Sequence, residues 1–103
     1  MTTTRIPTHP GAILREDVLP ALGISAAEFA KKLQVSKQLM SRILKEKGAV
    51  TPNIALRIGE FFGNDPNGWL GMQQEYDLAI AKRVLAKTLP KIKAARKAMK
   101  KAA

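Results

Sequence analysis

Between Ser25 and Lys45 the chain fits two apolar repeats of helical period into 21 residues, leaving only Gln34-Val35-Ser36 to turn between them. So short a connection forces the two helices to cross at close range and pack as one rigid unit. Ser25 with Glu28 three residues later is the signature of a capping box, which starts the first helix of the pair. Ser36 is the corresponding cap for the second. A chain built around this unit is committed to helix-on-helix packing, because no segment alternates apolar and polar residues for long enough to form a strand.

The same punctuation recurs along the chain. Thr8-His9-Pro10-Gly11 opens an earlier helix in which Ile13, Leu14, Val18 and Leu22 have helical spacing, and Pro20 and Gly23 are expected to end it. Thr51-Pro52 launches a fourth helix through Ile54, Leu56, Ile58, Phe61 and Phe62 to Gly63. Asp65-Pro66 repeats the device and launches a fifth through Trp69, Leu70, Tyr76, Leu78 and Ile80. Beyond Ala81 the pattern weakens. Leu85, Leu89, Ile92, Ala95 and Met99 keep steps of three or four, but Pro90 would clash with the Ala86 carbonyl inside one continuous helix. Thr88 can instead cap a short second helix. Isolation and lysine repulsion predict fraying over the last ten or so residues. The expected fold is all-α: a five-helix domain over residues 1–81, followed by a basic extension over 82–103 that is helical or disordered.

Charge divides along the same line. Residues 1–81 carry nine basic and eight acidic side chains, a net +1, whereas residues 82–103 carry nine basic and no acidic side chains. This asymmetry suggests a polyanionic partner, although a lysine-alanine tail that only aids solubility fits the composition as well. Cysteine is absent, which removes disulfides, thiolate metal sites and thiol nucleophiles. The single histidine, His9, is expected to cap or pack at the start of the first helix. Neither a metal site nor a cofactor is expected, and with no nucleophile–base pair or glycine-rich phosphate loop the chain does not read as an enzyme. No apolar run approaches the roughly 18 residues of a membrane span, and the N-terminus lacks a signal-peptide pattern, so a cytoplasmic protein is expected.

Projected at about 100° per residue, the third helix separates into two faces. Met40, Ile43 and Leu44 gather on one side, toward Phe29, Ala30 and Leu33 of the second helix. Lys37, Gln38, Ser41, Arg42 and Lys45 occupy the other. Glutamine can pair bidentately with adenine, arginine or lysine with guanine, and serine with base edges or phosphates. A polar face on a short helix is often simply solvated. What lifts this one above that reading is its place in a helix–turn–helix pair, a geometry that presses one helix into a DNA major groove. Leu39 lies between the faces, at the core rim or against a thymine methyl group.

Several runs extend the likeness beyond that pair: His9-Pro10-Gly11-Ala12-Ile13-Leu14-Arg15-Glu16-Asp17, Leu22-Gly23-Ile24-Ser25, Thr51-Pro52-Asn53-Ile54-Ala55-Leu56-Arg57, Phe61-Phe62-Gly63, Trp69-Leu70 and Tyr76-Asp77-Leu78-Ala79. Over about residues 7 to 81 the chain resembles the HigA-type antitoxins, within the lambda-repressor-like or XRE helix-turn-helix class. The resemblance implies a homodimer that binds a double-stranded operator and represses its own operon. It also implies a protein partner, an mRNA-cleaving toxin of the RelE-like type. A stand-alone transcriptional regulator with no toxin is the alternative. Carried over to this chain, the groove-facing residues are Ser36, Lys37, Gln38, Ser41 and Arg42, with Lys45 and Lys47 near phosphates, while Ser25 or backbone N–H groups are left to make the phosphate contact of the second helix. Trp69, Tyr76 and Ile80, at helical spacing, are expected first in the core, and in a symmetric dimer they are also candidates for the two-fold interface. The chain departs from the family pattern where Ala26 replaces a frequent glutamine, and where Gln34 stands at a turn position usually held by a left-handed glycine. The tail beyond Ala81 lies outside the shared pattern.

Overall fold

In a computed structural model, which describes residues 6–102, six helices follow one another and no strand occurs among the described residues. Helix α1 covers residues 10–22, α2 Ala26–Leu33, α3 Lys37–Leu44, α4 Pro52–Phe62, α5 Pro66–Val84 and α6 Leu89–Ala102. The all-helical expectation holds, and the caps fall where the sequence places them. Ser25 and Glu28 form a reciprocal capping box. Ser36, Thr51 and Asp65 each accept a backbone N–H at the start of α3, α4 and α5.

Pro20 does not end the first helix. It lies inside α1, directly after a π-helical turn over Leu14–Val18. There the Leu19 N–H reaches back five residues to the Leu14 carbonyl. A wider turn accepts one extra residue and relieves the contact between a proline ring and the preceding turn. The insertion also rotates the helix, so the buried pair is Leu14 and Leu19, five apart, and Val18 is only half-buried. Gly23, in the left-handed conformation, then closes the helix.

The core joins Leu14 and Leu19 of α1 to Phe29, Ala30 and Leu33 of α2, Met40, Ile43 and Leu44 of α3, Ile54, Ala55 and Ile58 of α4, and Trp69 of α5. Phe29 packs edge-on against Phe61, with ring centroids 5.7 Å apart. Trp69 stacks on Phe62 at 6.5 Å.

Gly11 lets α1 approach the backbone of α3 closely, since a Cβ on it would overlap the Ile43 carbonyl oxygen. Side chains are therefore excluded between α1 and α3 at that point. His9 caps α1, its Nδ1 accepting the Gly11 N–H at 2.8 Å, and its ring meets Tyr76 edge-on at 4.8 Å.

Helix α5 runs three residues past Ala81, and Leu85–Thr88 form a turn. Helix α6 begins at Leu89, where Pro90 occupies the first turn and needs no N–H. The fraying expected over the last ten residues is not what the structure describes, since helix continues to Ala102. Alanine and lysine are strong helix formers, and Lys100 lies at the C-terminal end, where the helix dipole favours a cation. Every side chain from Ala81 to Lys100 is exposed, and the molecule measures 60 × 25 × 25 Å.

Candidate nucleic-acid interface

Helix α3 divides as its sequence predicts. Met40 and Ile43 are fully buried and Leu44 nearly so, whereas Lys37, Gln38, Arg42 and Lys45 are exposed and Ser41 is half-exposed. Lys37, Gln38 and Ser41 line a shallow open depression. This is a polar surface held on a rigid support. Leu39 is 37% exposed, at the border of the two faces.

The two serines have structural duties. The Ser36 hydroxyl oxygen accepts the Leu39 N–H at 3.0 Å. That of Ser25 accepts the Glu28 N–H at 3.1 Å, while Glu28 Oε1 receives the Ser25 N–H at 3.2 Å. Each hydroxyl still carries a proton that can be donated to a phosphate. Arg42 bends toward the loop that follows α3 and donates to the Lys47 carbonyl at 3.1 Å. Its guanidinium has further N–H groups, so one backbone bond fixes the arm without exhausting it.

Two arginines outside α3 set its position, and sequence reasoning gave neither of them this role. Arg15 of α1 donates to the Leu44 carbonyl at 2.6 Å, at the last turn of α3, and pairs with Glu46 at 3.2 Å and Glu16 at 2.9 Å. The neighbouring carboxylates raise its already high pKa, side-chain hydrogen bonding to Glu16 contributing most. Arg57 of α4 spans the turn between α2 and α3, donating to the Leu33 carbonyl at 2.8 Å and the Gln34 carbonyl at 3.2 Å. Asn53 steadies it by accepting from Nε at 2.7 Å.

The loop after α3 is held from α5. The buried Gln73 accepts the Val50 N–H at 2.8 Å and donates to Asp77 at 3.0 Å. The one signal for Gln73 in the sequence is a polar residue in an otherwise buried stripe. His9 faces the same loop. Burial lowers its pKa below the usual 6.5, against the opposing pull of Glu46, the Gly48 carbonyl and Asp77.

Of the interface candidates, Trp69 is 8% exposed and committed to the core. Tyr76 is half-buried against His9, and Ile80 is half-buried on α5. No group of three or more metal-ligating side chains occurs among the described residues. None of the described helices is long and apolar enough to cross a membrane.

Residues 14–69 match the family profile described as helix-turn-helix. The chain belongs to the helix-turn-helix family. Among its relatives, virulence-associated protein I of Dichelobacter nodosus is 44% identical over 75 residues, which are 73% of this chain and 69% of that protein. A protein named as the uncharacterized HTH-type transcriptional regulator YddM of Escherichia coli strain K12 is 34% identical over 77 residues, 75% of this chain and 81% of its own. The Pseudomonas aeruginosa antitoxin HigA, solved with the higBA promoter, superposes with a TM-score of 0.77 at 35% identity, covering 81% of this chain and 90% of that one. The likeness to HigA-type antitoxins read from the sequence therefore extends to the three-dimensional fold. This helix-turn-helix family is one of DNA-binding regulators and antitoxins.

Proposed function

We propose that this chain is the antitoxin of a type II toxin–antitoxin pair, which binds the operator of its own operon and neutralises an mRNA-cleaving toxin of the RelE-like type. The observation that carries the DNA half of this reading is the exposed arc of Lys37, Gln38, Ser41 and Arg42 on a helix whose other side is wholly buried. Gln38 suits a base edge, adenine above all. Lys37, Lys45, Lys47 and the hydroxyls of Ser25 and Ser36 suit phosphates, and these position the protein without selecting sequence. The chain acts as a homodimer, which sets two copies of α3 in successive major grooves about 34 Å apart on a two-fold symmetric operator. Trp69 has too little free surface for direct contact with a second copy, which leaves Tyr76 and Ile80 of the original candidates.

The test of sequence reading is binding to the DNA upstream of the chain's own reading frame against a scrambled duplex of equal composition. Equal affinity for the two would refute it. The toxin half is tested by co-expression with the adjacent short reading frame and co-purification of its product. A stand-alone regulator is the second reading, favoured by relatives such as the YddM protein whose name carries no toxin. It gains if no such reading frame adjoins this one.

A further inference from the structure

Four of the six cations in helix α6 form an ordered array. Lys93, Arg96, Lys97 and Lys100 recur at steps of three, one and three, which gathers them on one side of a helix. Ile92, Ala95 and Met99 form an apolar strip along one flank of that face. No acidic residue occurs anywhere from Lys82 to the C-terminus, so nothing within the extension neutralises the array. All four cations are exposed. We propose that this face of α6 is a second nucleic-acid contact, a sequence-independent clamp on the phosphate backbone of duplex DNA.

The argument is one of charge complementarity. A duplex carries a negative charge about every 1.7 Å of its axis. The four cations span about 10 Å of helix, at 1.5 Å per residue, and so meet a comparable length of backbone. The body of the protein, at net +1, contributes little long-range attraction, whereas residues 82–103 contribute +9. The extension therefore supplies the attraction the body lacks. A second copy of α6 is a poor occupant, because it would bring the same uncompensated positive charge. The choice of duplex DNA as the polyanion rests on the DNA-binding reading above, but the contact does not depend on α3 reading sequence.

The experiment compares the full chain with a variant carrying Lys93→Gln, Arg96→Gln, Lys97→Gln and Lys100→Gln. Glutamine preserves helix propensity, and circular dichroism checks that the helix persists. Binding to a random-sequence duplex is measured over a series of salt concentrations. If all four cations meet phosphates, the slope of log affinity against log salt falls by about three to four units in the variant. A second variant with Lys93→Arg, Lys97→Arg and Lys100→Arg keeps the wild-type slope. Unchanged slope and affinity in the glutamine variant overturn the proposal, as does failure of the wild type to bind any duplex. Loss of binding to anionic phosphatidylglycerol vesicles with an unchanged DNA slope overturns it in favour of a lipid surface. If the slope depends on the tail but the wild type does not prefer its own upstream DNA to scrambled DNA, the clamp stands and sequence reading falls.

Discussion

The Arg57 guanidinium donates to the Gln34 carbonyl at 3.2 Å, across the turn where Gln34 holds a left-handed φ of 59°. At the same turn the Val35 N–H reaches the Ala30 carbonyl and the Gln34 N–H the Lys31 carbonyl, a Schellman closure of α2. The left-handed conformation costs a side-chain-bearing residue about 1–2 kcal/mol. The bonds from Arg57 help hold the turn against that cost, and with it the angle between α2 and α3.

Arg57→Leu is expected to lower stability by about 1–3 kcal/mol, because it removes two charge-assisted bonds to carbonyls at a helix end. Arg57→Lys should recover only part of the loss, since an ammonium lacks the planar fork. Urea unfolding of the three proteins checks this. A loss no greater than a few tenths would mean the turn holds itself.

Gln34→Gly should be neutral or stabilising by up to about 1 kcal/mol, as relief of the left-handed strain competes with glycine's greater unfolded-state freedom. Gln34→Val should cost more than about 1 kcal/mol, because a β-branched residue tolerates that conformation least. The order of the two melting temperatures is the readout.

Gly11→Ala is expected to be severe, about 3 kcal/mol or more, since its methyl group would occupy the space of the Ile43 carbonyl oxygen. Gly71→Ala, in α5 with nothing within 4 Å of the new atom, should instead stabilise by about 1 kcal/mol through helix propensity. Thermal unfolding of the two single variants should move in opposite directions.

Acidification should weaken the fold through His9. Its folded pKa lies below the unfolded value of about 6.5, so between those two values the unfolded chain binds more protons. The contribution is fully present above about pH 6.5 and is lost as the pH falls toward the folded pKa. Protonation of Nδ1 would also take away the acceptor for the Gly11 N–H. Melting the wild type between pH 7.5 and 5 should show the decline. His9→Asn retains a capping side chain that does not titrate, so its slope over this range should be shallower. Equal slopes would assign the decline to other groups.

On DNA, Gln38→Ala should cost about 1–3 kcal/mol at the preferred site and relax choice at one base pair. Lys37→Ala should weaken binding to preferred and scrambled duplexes alike. Arg42→Ala should follow the Gln38 pattern if its guanidinium leaves Lys47 for a base. Uniform weakening would assign it to backbone contact. Competition binding against single-base variants of the upstream DNA separates the cases.

The helix starts were legible because each rests on residues two or three apart, as with Ser25 and Glu28 or Thr51 and Ile54. The division of α3 was legible for the same reason, periodicity being local. The π-helical turn was not, because an inserted residue shifts the apolar spacing from four to five, and Val18 reads as the better partner for Leu14. The contacts that Arg15, Arg57 and Gln73 make around α3 escaped because those partners lie 23 to 31 residues away. Nothing in a single sequence says which carbonyl a surface arginine will reach.

Backbone meets backbone where Gly11 touches the Ile43 carbonyl, and no cushion of side chains lies there to absorb a displacement. A protein that seized the N-terminal helix and tilted it would carry α3 along, as a handle turns the blade fixed to it.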